Sequence, residues 1–460
     1  MLNSLASAAE RYAALLAPVL RESAPVPEPR RASELELQAH WFAGDFGREF
    51  RTTTGQLVRI VQFGVWNREA GPDFADAAVS VDGGEQLLHG PIEFDMDVRD
   101  WERHGHSTNP EYEPVILHVF TQTGTSHFFT RTAAHRNVLQ IIVSPAWIAG
   151  SEVPNPLPEA KLGRCSGPLS ELPEEKVCDV LMAAAQYRLR RKASALMRLR
   201  ESHGQDEALY QALATTLGYK SNKLPFTLLA QRLPLRFLSK SRDEIEALLF
   251  GVSGFLPGTD FNEYDGSTRD YLCGLWEKWW TRRCEFSRLA LAPGMWRLSG
   301  QRPANHPQRR LAALAQIVRH WSRIRALAEA PEPRRIQDFF ARLTDPYWDF
   351  HYTLSSKPSG GPMALVGESR VLEMLLNVFL PLAAFHDEKH WATYRELTAP
   401  FTNRRVETAA TRLFGGSERR EELLKSAAIQ QGLLQVYEDF CLQDASDCAH
   451  CRFPTQLAKW

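Results

Sequence analysis

Lysine is missing from the first 160 of the 460 residues, and cysteine is scarce, at seven. No apolar run approaches the ~18 residues that a membrane span needs. The best candidates, 138–150 and 374–385, are short and broken by proline, so no segment is expected to cross a membrane. Glu10 and Arg11 fall where the apolar core of an export signal would have to lie, which predicts a cytoplasmic protein. An odd number of cysteines, three of them crowded near residue 450, argues against a disulfide framework. It suits thiols or metal ligands in a reducing compartment. No Walker pattern surrounds Gly360-Gly361-Pro362, which excludes a phosphate cradle there, and no fixed-period repeat is present.

What is present is the balance of a globular protein: 44% hydrophobic, 24% charged and 10% aromatic residues. At ~100 to 200 residues per domain, this length predicts two or three folded units. The net charge of −1 hides an asymmetry. Residues 1–160 carry 12 arginines against 21 acidic residues, a net of −9, and the rest of the chain sums to +8. A basic part following an acidic one invites a polyanion partner, although ordinary surface charge accounts for the same numbers.

Residues 1–32 read as a helix, 2–22, and an extended arm built on Pro25, Pro27 and Pro29. Ser33 is then a plausible N-cap for a second helix, with Glu36 at the capping-box position. Runs of β-rich residues at 56–65, 74–81, 85–98, 115–121, 126–131 and 138–143 predict an α+β domain over 33–150. Five prolines between 154 and 173 mark a linker, 151–173. Apolar residues then recur at spacings of three and four in 174–201, 207–217, 223–231, 243–250, 308–328, 335–343, 368–384 and 417–443. An all-helical region over 174–460 is expected.

The chemistry concentrates in Gly71-Pro72-Asp73-Phe74 and, twenty residues beyond Asp73, in Pro91-Ile92-Glu93-Phe94-Asp95-Met96-Asp97-Val98. The second segment alternates without error, with Glu93, Asp95 and Asp97 sharing one strand face. Carboxylates spaced ~6 to 7 Å apart along a strand repel unless a cation or water screens them. The wet face of a half-buried strand has the same pattern. Asp73, placed before the partner strand so as to reach Glu93, favours a site for Mg²⁺ or Mn²⁺. The loop carrying His104-Gly105-His106 follows at once and offers a general acid, a general base or further ligands. His118, on the next strand, reads equally as a core residue or a catalytic one.

Pro72-Asp73 with Glu93-x-Asp95 after a hairpin, behind a helix carrying Glu36, resembles the PD-(D/E)XK nuclease pattern. In that pattern an acidic pair across two adjacent strands binds Mg²⁺ and a phosphodiester is cut. Trp101 with His104-Gly105-His106 is similar to the Trp-x-x-His stretch that follows the acidic strand in very short patch repair endonucleases. More broadly, GPDF, DWERHGH, VILHV, LGYKSNKLPF, QRPANHPQRRLAALA and the terminal CAHC resemble the bacterial family called domain of unknown function 2851, over nearly the whole chain. That resemblance implies a family rather than an activity.

The chain departs from the nuclease pattern where Asp95 stands in place of the usual lysine. Arg59, Arg68, Arg99 or one of His104 and His106 are the available substitutes. The expected activity is metal-dependent hydrolysis of DNA or RNA, with Asp73 and Glu93 as ligands, Asp95 as ligand or water orienter, and His104 or His106 as acid or base. The alternative is a nuclease-fold protein that binds nucleic acid, or acts as a scaffold, without cutting it.

Cys441-x6-Cys448-x2-Cys451 predicts a second metal site, zinc ahead of an iron–sulfur cluster, or else buried free thiols. The spacing resembles the start of the four-cysteine loop of iron–sulfur DNA glycosylases, except that Leu457 occupies the last position. Cys165 or Cys178 is the expected fourth ligand, because some iron–sulfur nucleases use one remote cysteine. Finally Arg190, Arg191 and Lys192, then Lys220, then Arg302, Arg309 and Arg310 form basic clusters read as contacts to a nucleic-acid partner, DNA ahead of RNA.

Overall fold

The computed structural model describes residues 3–16, 32–67, 71–84, 86–123, 128–145, 161–219, 221–256, 260–299, 302–385, 387, 389–400, 404–415, 419–442, 448–458 and 460. Arg68, Lys220 and residues 151–160 of the expected linker lie outside them. The fold is α+β: a mixed sheet in the N-terminal part, helices in the rest.

The sheet comprises β1 (Glu49–Arg51), β2 (Leu57–Gln62), β3 (Val65–Trp66), β4 (Phe74–Val81), β5 (Leu88–Asp97), β6 (Leu117–Gln122) and β7 (Leu139–Ile142). Its order is β1-β2-β4-β5-β6-β7, with β3 paired to β4. The β4–β5 pair is antiparallel, whereas β5, β6 and β7 run parallel. Thr52 bridges Ile141, so the chain leaving β1 also touches β7. The acidic strand β5 is therefore central, with a neighbour on each side, and its apolar residues Ile92 and Phe94 are fully buried. The run expected at 126–131 is not a strand among its described residues; Arg131 makes a single bridge to Asn137, closing a turn.

Helix α1 (Asn3–Leu16) precedes the sheet in sequence, and α2 (Glu34–Phe42) packs on it. The Ser33 side chain accepts the Glu36 N–H at 3.3 Å, satisfying one of the free donors at the start of α2. Leu37, Trp41 and Phe42 form the buried stripe of α2, and Trp41 meets Phe63 edge-on and Phe94 at 6.3 Å. Truncating Trp41 to alanine would cost ~3–5 kcal/mol by lost burial and the cavity left behind.

The expected linker is partly built structure. Helix α4 (Ser166–Glu171), which follows the short α3 (Asp100–Arg103), lies inside it, and Cys165 and Leu169 are core residues. Helix α5 (Glu174–His203) comes next, 30 residues and ~45 Å long. It belongs to two cores: Ala185, Leu189 and Leu196 to one that is continuous with the sheet, and Val177, Val180 and Leu181 to a second. The second core gathers Tyr12 of α1 and the C-terminal residues Phe440, Phe453 and Leu457. Where the helix Ala427–Val436 crosses α5, a Cβ on Gly432 would lie 1.9 Å from the Leu181 carbonyl oxygen, so only glycine fits.

After α6 (Gln205–Leu217) and α7 (Lys223–Arg232) the helices depart from expectation in detail. The run at 308–328 breaks at His320, and those at 368–384 and 417–443 contain π-helical turns, Leu375–Phe379 and Tyr437–Cys441. The helix Gly266–Phe286 carries too weak an apolar stripe to be seen by periodicity; it starts at an Asp265 cap bonded to the Thr268 N–H at 2.8 Å. Among the described residues, no helix is long and apolar enough to cross a membrane.

Candidate metal centre

Phe74 pairs with Ile92 across the antiparallel β4–β5 ladder, so Asp73 stands opposite Glu93 one position beyond the last pair. The two residues are laced together. The Asp73 N–H donates to Glu93 Oε2 at 3.0 Å, and the Phe94 N–H donates to Asp73 Oδ2 at 3.1 Å. Gln38 of α2 also donates to Asp73 Oδ2, at 2.9 Å. Glu93 and Asp95 are 5% and 2% exposed, which rules out the wet-strand reading.

Burial and the charge of Glu93 push the Asp73 carboxyl well above its ordinary range, and burial and Asp95 do the same to Glu93. Glu34, one helical turn before Gln38, is raised by burial and by Asp95. Like charges crowded in a low dielectric need a cation nearby or must hold protons. Asp97 belongs to a different environment: a bidentate pair with Arg99 holds it at about 2.

The loop after α3 completes the site. Gly105 has φ +77°, a conformation that costs glycine nothing, and this turn brings both flanking imidazoles back over β5. His104 Nδ1 lies 3.3 Å from Asp95 Oδ1, and His106 Nε2 lies 3.1 Å from Glu93 Oε1. One ligand atom each from Asp95, His104 and His106 falls within 4.8 Å of the others. His106 is stacked on Tyr112 at 3.9 Å and edge-on to Trp101, and burial lowers its affinity for a proton. Its Nε2 is buried and makes no hydrogen bond, although Glu93 Oε1 lies 3.1 Å away. A buried imidazole nitrogen that makes no hydrogen bond is a candidate metal ligand.

Behind Asp95 runs a buried polar chain. His118 Nε2 meets Asp95 Oδ2 at 3.1 Å, and its Nδ1 meets Thr130 Oγ1 at 2.6 Å. Thr130 accepts from Gln140 at 2.8 Å, and Gln140 in turn accepts from Thr53 at 3.0 Å. His118 is thus fully buried and holds the Asp95 carboxylate from behind.

Of the expected site residues, Asp73, Glu93, Asp95, His104 and His106 are brought together, with the two histidines rather than Asp73 completing the converging triad. Glu36 is a capping-turn residue, whereas Glu34 and Gln38, four apart on α2, face the carboxylates. Arg59 lies beside Glu49 and Arg99 pairs with Asp97, so neither stands in for the missing lysine. Arg232 of α7, overlooked in the sequence, is largely buried over Trp66 and within electrostatic reach of Asp73.

The basic clusters fare differently. Arg309 is 1% exposed and donates to the carbonyls of Trp348, His351, Met363 and Ala364; Arg310 is 3% exposed, bonds Leu365 O and Asn305, and is pushed down to about 9 by burial. Lys192 turns inward to Gln431 at 2.8 Å. These three hold the protein's own loops and helices and offer no charge to a phosphate, which corrects the sequence reading. Arg190 and Arg302 are exposed, and Arg191 is partly so beside Tyr187.

No curated protein and no solved structure matches the chain. Residues 34–403, which span the sheet, the candidate centre and most of the helical region, match the family described as Protein of unknown function (DUF2851), and the chain belongs to that family.

Proposed function

We propose that the protein is a divalent-metal-dependent nuclease, hydrolysing phosphodiester bonds of DNA or RNA. The observation that carries this reading is the orphaned His106 Nε2, buried beside Asp95, His104 and Glu93 on the central strand. Asp95, His104 and His106 are the residues that would hold the ion, and a set of one carboxylate and two imidazoles fits Mn²⁺ or Zn²⁺ as well as the Mg²⁺ expected from carboxylates alone. A bound divalent ion supplies an activated water and offsets the charge that builds on the phosphoryl oxygens.

The chain's own residues do the rest. Glu93, next to His106, is placed to take the proton of the attacking water. Asp73 is a positioning residue: pinned by Gln38 and the Phe94 N–H, it fixes Glu93 through its own backbone N–H. His118 fixes the Asp95 carboxylate from behind. The acidic pair across two adjacent strands supports the PD-(D/E)XK comparison, with histidines in the place of its lysine.

The test is cleavage of labelled DNA and RNA with Mg²⁺, Mn²⁺ or Zn²⁺ by wild type, Asp95→Asn and His106→Ala. Metal-dependent cutting by wild type that both variants lose is the expected result. Equal cutting by all three would identify a contaminant. Retained nucleic-acid binding without cutting under any metal would replace the proposal with the binding-only alternative.

A further inference from the structure

The C-terminal turn folds back on the segment around Cys165, inside the expected linker. Cys165 stands at the start of α4, Cys441 closes the π-helical turn Tyr437–Cys441, and Cys448 and Cys451 flank the turn before the helix Phe453–Leu457. Cys165 and Cys441 are 3% and 7% exposed, and the other two are partly buried. Cys165 and Cys441 lie in the same buried core, and Cys451 packs against it. The Cys178 thiol is pushed up only by burial and Glu174, and Cys273 and Cys284 are exposed on another helix.

The surroundings are built for sulfur. Arg412, 1% exposed, donates from Nη2 to Cys448 Sγ at 2.8 Å, and its carbonyl oxygen lies 3.9 Å from Cys165 Sγ. That same carbonyl accepts the Gly163 N–H at 2.8 Å, and a Cβ on Gly163 would sit 2.8 Å from it, so the approach needs glycine. Arg164 donates to the Cys448 carbonyl at 3.3 Å and to that of Ala449. Cys448 itself has φ +79°, a conformation that residues with a Cβ seldom adopt without something to hold them there. A buried guanidinium beside the sulfurs offsets part of the negative charge that ligating thiolates bring to a metal centre.

The spacing of the sulfurs separates the two metal centres that four thiolates could hold. Thiolates around one zinc lie about 3.8 Å apart, twice a ~2.3 Å bond opened to the tetrahedral angle. Thiolates around a four-iron, four-sulfide cube lie on the order of 6 Å apart. Among the described residues, no three of these sulfurs come within 4.8 Å of one another, although Arg412 touches both Cys165 and Cys448, and Cys165, Cys441 and Cys451 belong to one buried core. We infer that Cys165, Cys441, Cys448 and Cys451 are the four ligands of one four-iron, four-sulfide cluster, which staples the C-terminus to the start of the helical region. The fourth cysteine is Cys165, in place of the position held by Leu457.

The full chain, purified without oxygen, is the material for the test, read by iron, sulfide and zinc analysis together with its visible spectrum. Roughly four iron and four sulfide per chain, with broad absorption near about 400 nm, is the expected result. Cys165→Ser should lose most of the iron, and Cys178→Ser should keep it. A colourless wild type with one zinc per chain, or a Cys165→Ser protein that retains all its iron, overturns the inference. The metal content of the wild type decides the cluster's identity even where a serine variant fails to fold.

Discussion

The two candidate centres are assembled in opposite ways. On the sheet, Asp73, Glu93, Asp95, His104 and His106 lie within a few dozen residues of one another, and the antiparallel register and strand alternation set most of their geometry before any ligand arrives. In the helical region, Cys165 meets Cys441, Cys448 and Cys451 only after most of the chain has folded between them. The oxygen and nitrogen centre is thus a product of secondary structure, whereas the sulfur centre is a cross-link between distant segments. Loss of the first should cost chemistry and loss of the second should cost structure.

The sharpest break of this comparison is a pair of variants. Asp95→Asn should lower metal-dependent cleavage by roughly a hundredfold or more, because a ligand carries several kcal/mol of the barrier, yet leave the iron content unchanged. Cys441→Ser should do the reverse in iron content and expose the C-terminus to proteolysis. Cleavage assays, iron analysis and limited proteolysis on both proteins check it; two variants with the same profile would merge the centres into one cooperative unit.

Next in size comes Arg309. Its guanidinium is buried among carbonyls, so Arg309→Ala strands several acceptors and should cost ~3–5 kcal/mol in urea unfolding. Buried acids sharpen the contrast further. Glu246, in the helical region, is raised to about 7 by burial and by Asp345, while Tyr271 and Arg319 hydrogen-bond it. A raised folded pKa means that the folded state keeps a proton the unfolded chain releases, so this stability is present in acid below about 4.5 and is lost as the pH rises through about 7. Up to about 3 kcal/mol is at stake. Glu246→Gln should flatten that part of the pH profile without altering cleavage, as denaturant melts from pH 4.5 to 8 would register.

His118 is the next probe, because it acts through Asp95. His118→Asn should weaken divalent-metal binding by ~10–100-fold and leave the ligands themselves in place. Calorimetric titration with Mn²⁺ measures it, and unchanged affinity would return His118 to the plain core.

Much of the sheet site was legible because its signals are local. Alternation in 92–98 and the turn before Phe74 place Glu93, Asp95 and Asp73 without knowledge of the rest of the chain. Glu34 and Gln38 were missed because the first turn of α2 holds two glutamates, and only packing on the sheet decides that Glu34, with Gln38 one turn on, faces β5. Arg232 comes from a helix that periodicity located but could not dock. The basic clusters misled for the same reason: Arg309 and Arg310 sit on the helix Pro307–Arg319, whose residues 309–318 are all buried, and the carbonyls they satisfy are distant in sequence.

The smallest effect separates the one class of cation that remains for a polyanion. Arg302 lies on the surface just before the helix that carries Arg309, and is free of the inward packing that claims its neighbours. Removing an arginine that neutralises one phosphate should weaken binding by a few-fold and lower the slope of log affinity against log salt by about 1. Arg302→Ala is therefore expected to bind single- or double-stranded DNA about two- to threefold more weakly near physiological salt, with wild-type stability and wild-type cleavage of saturating substrate. Arg309→Ala, only seven residues away, should instead lose stability. A fluorescence-anisotropy salt series on Arg302→Ala, with the melt of each variant alongside, reads both. An unchanged salt slope for Arg302→Ala would mean that this face of the helical region does not meet the backbone of a nucleic acid, and that the excess positive charge after residue 160 is ordinary surface charge.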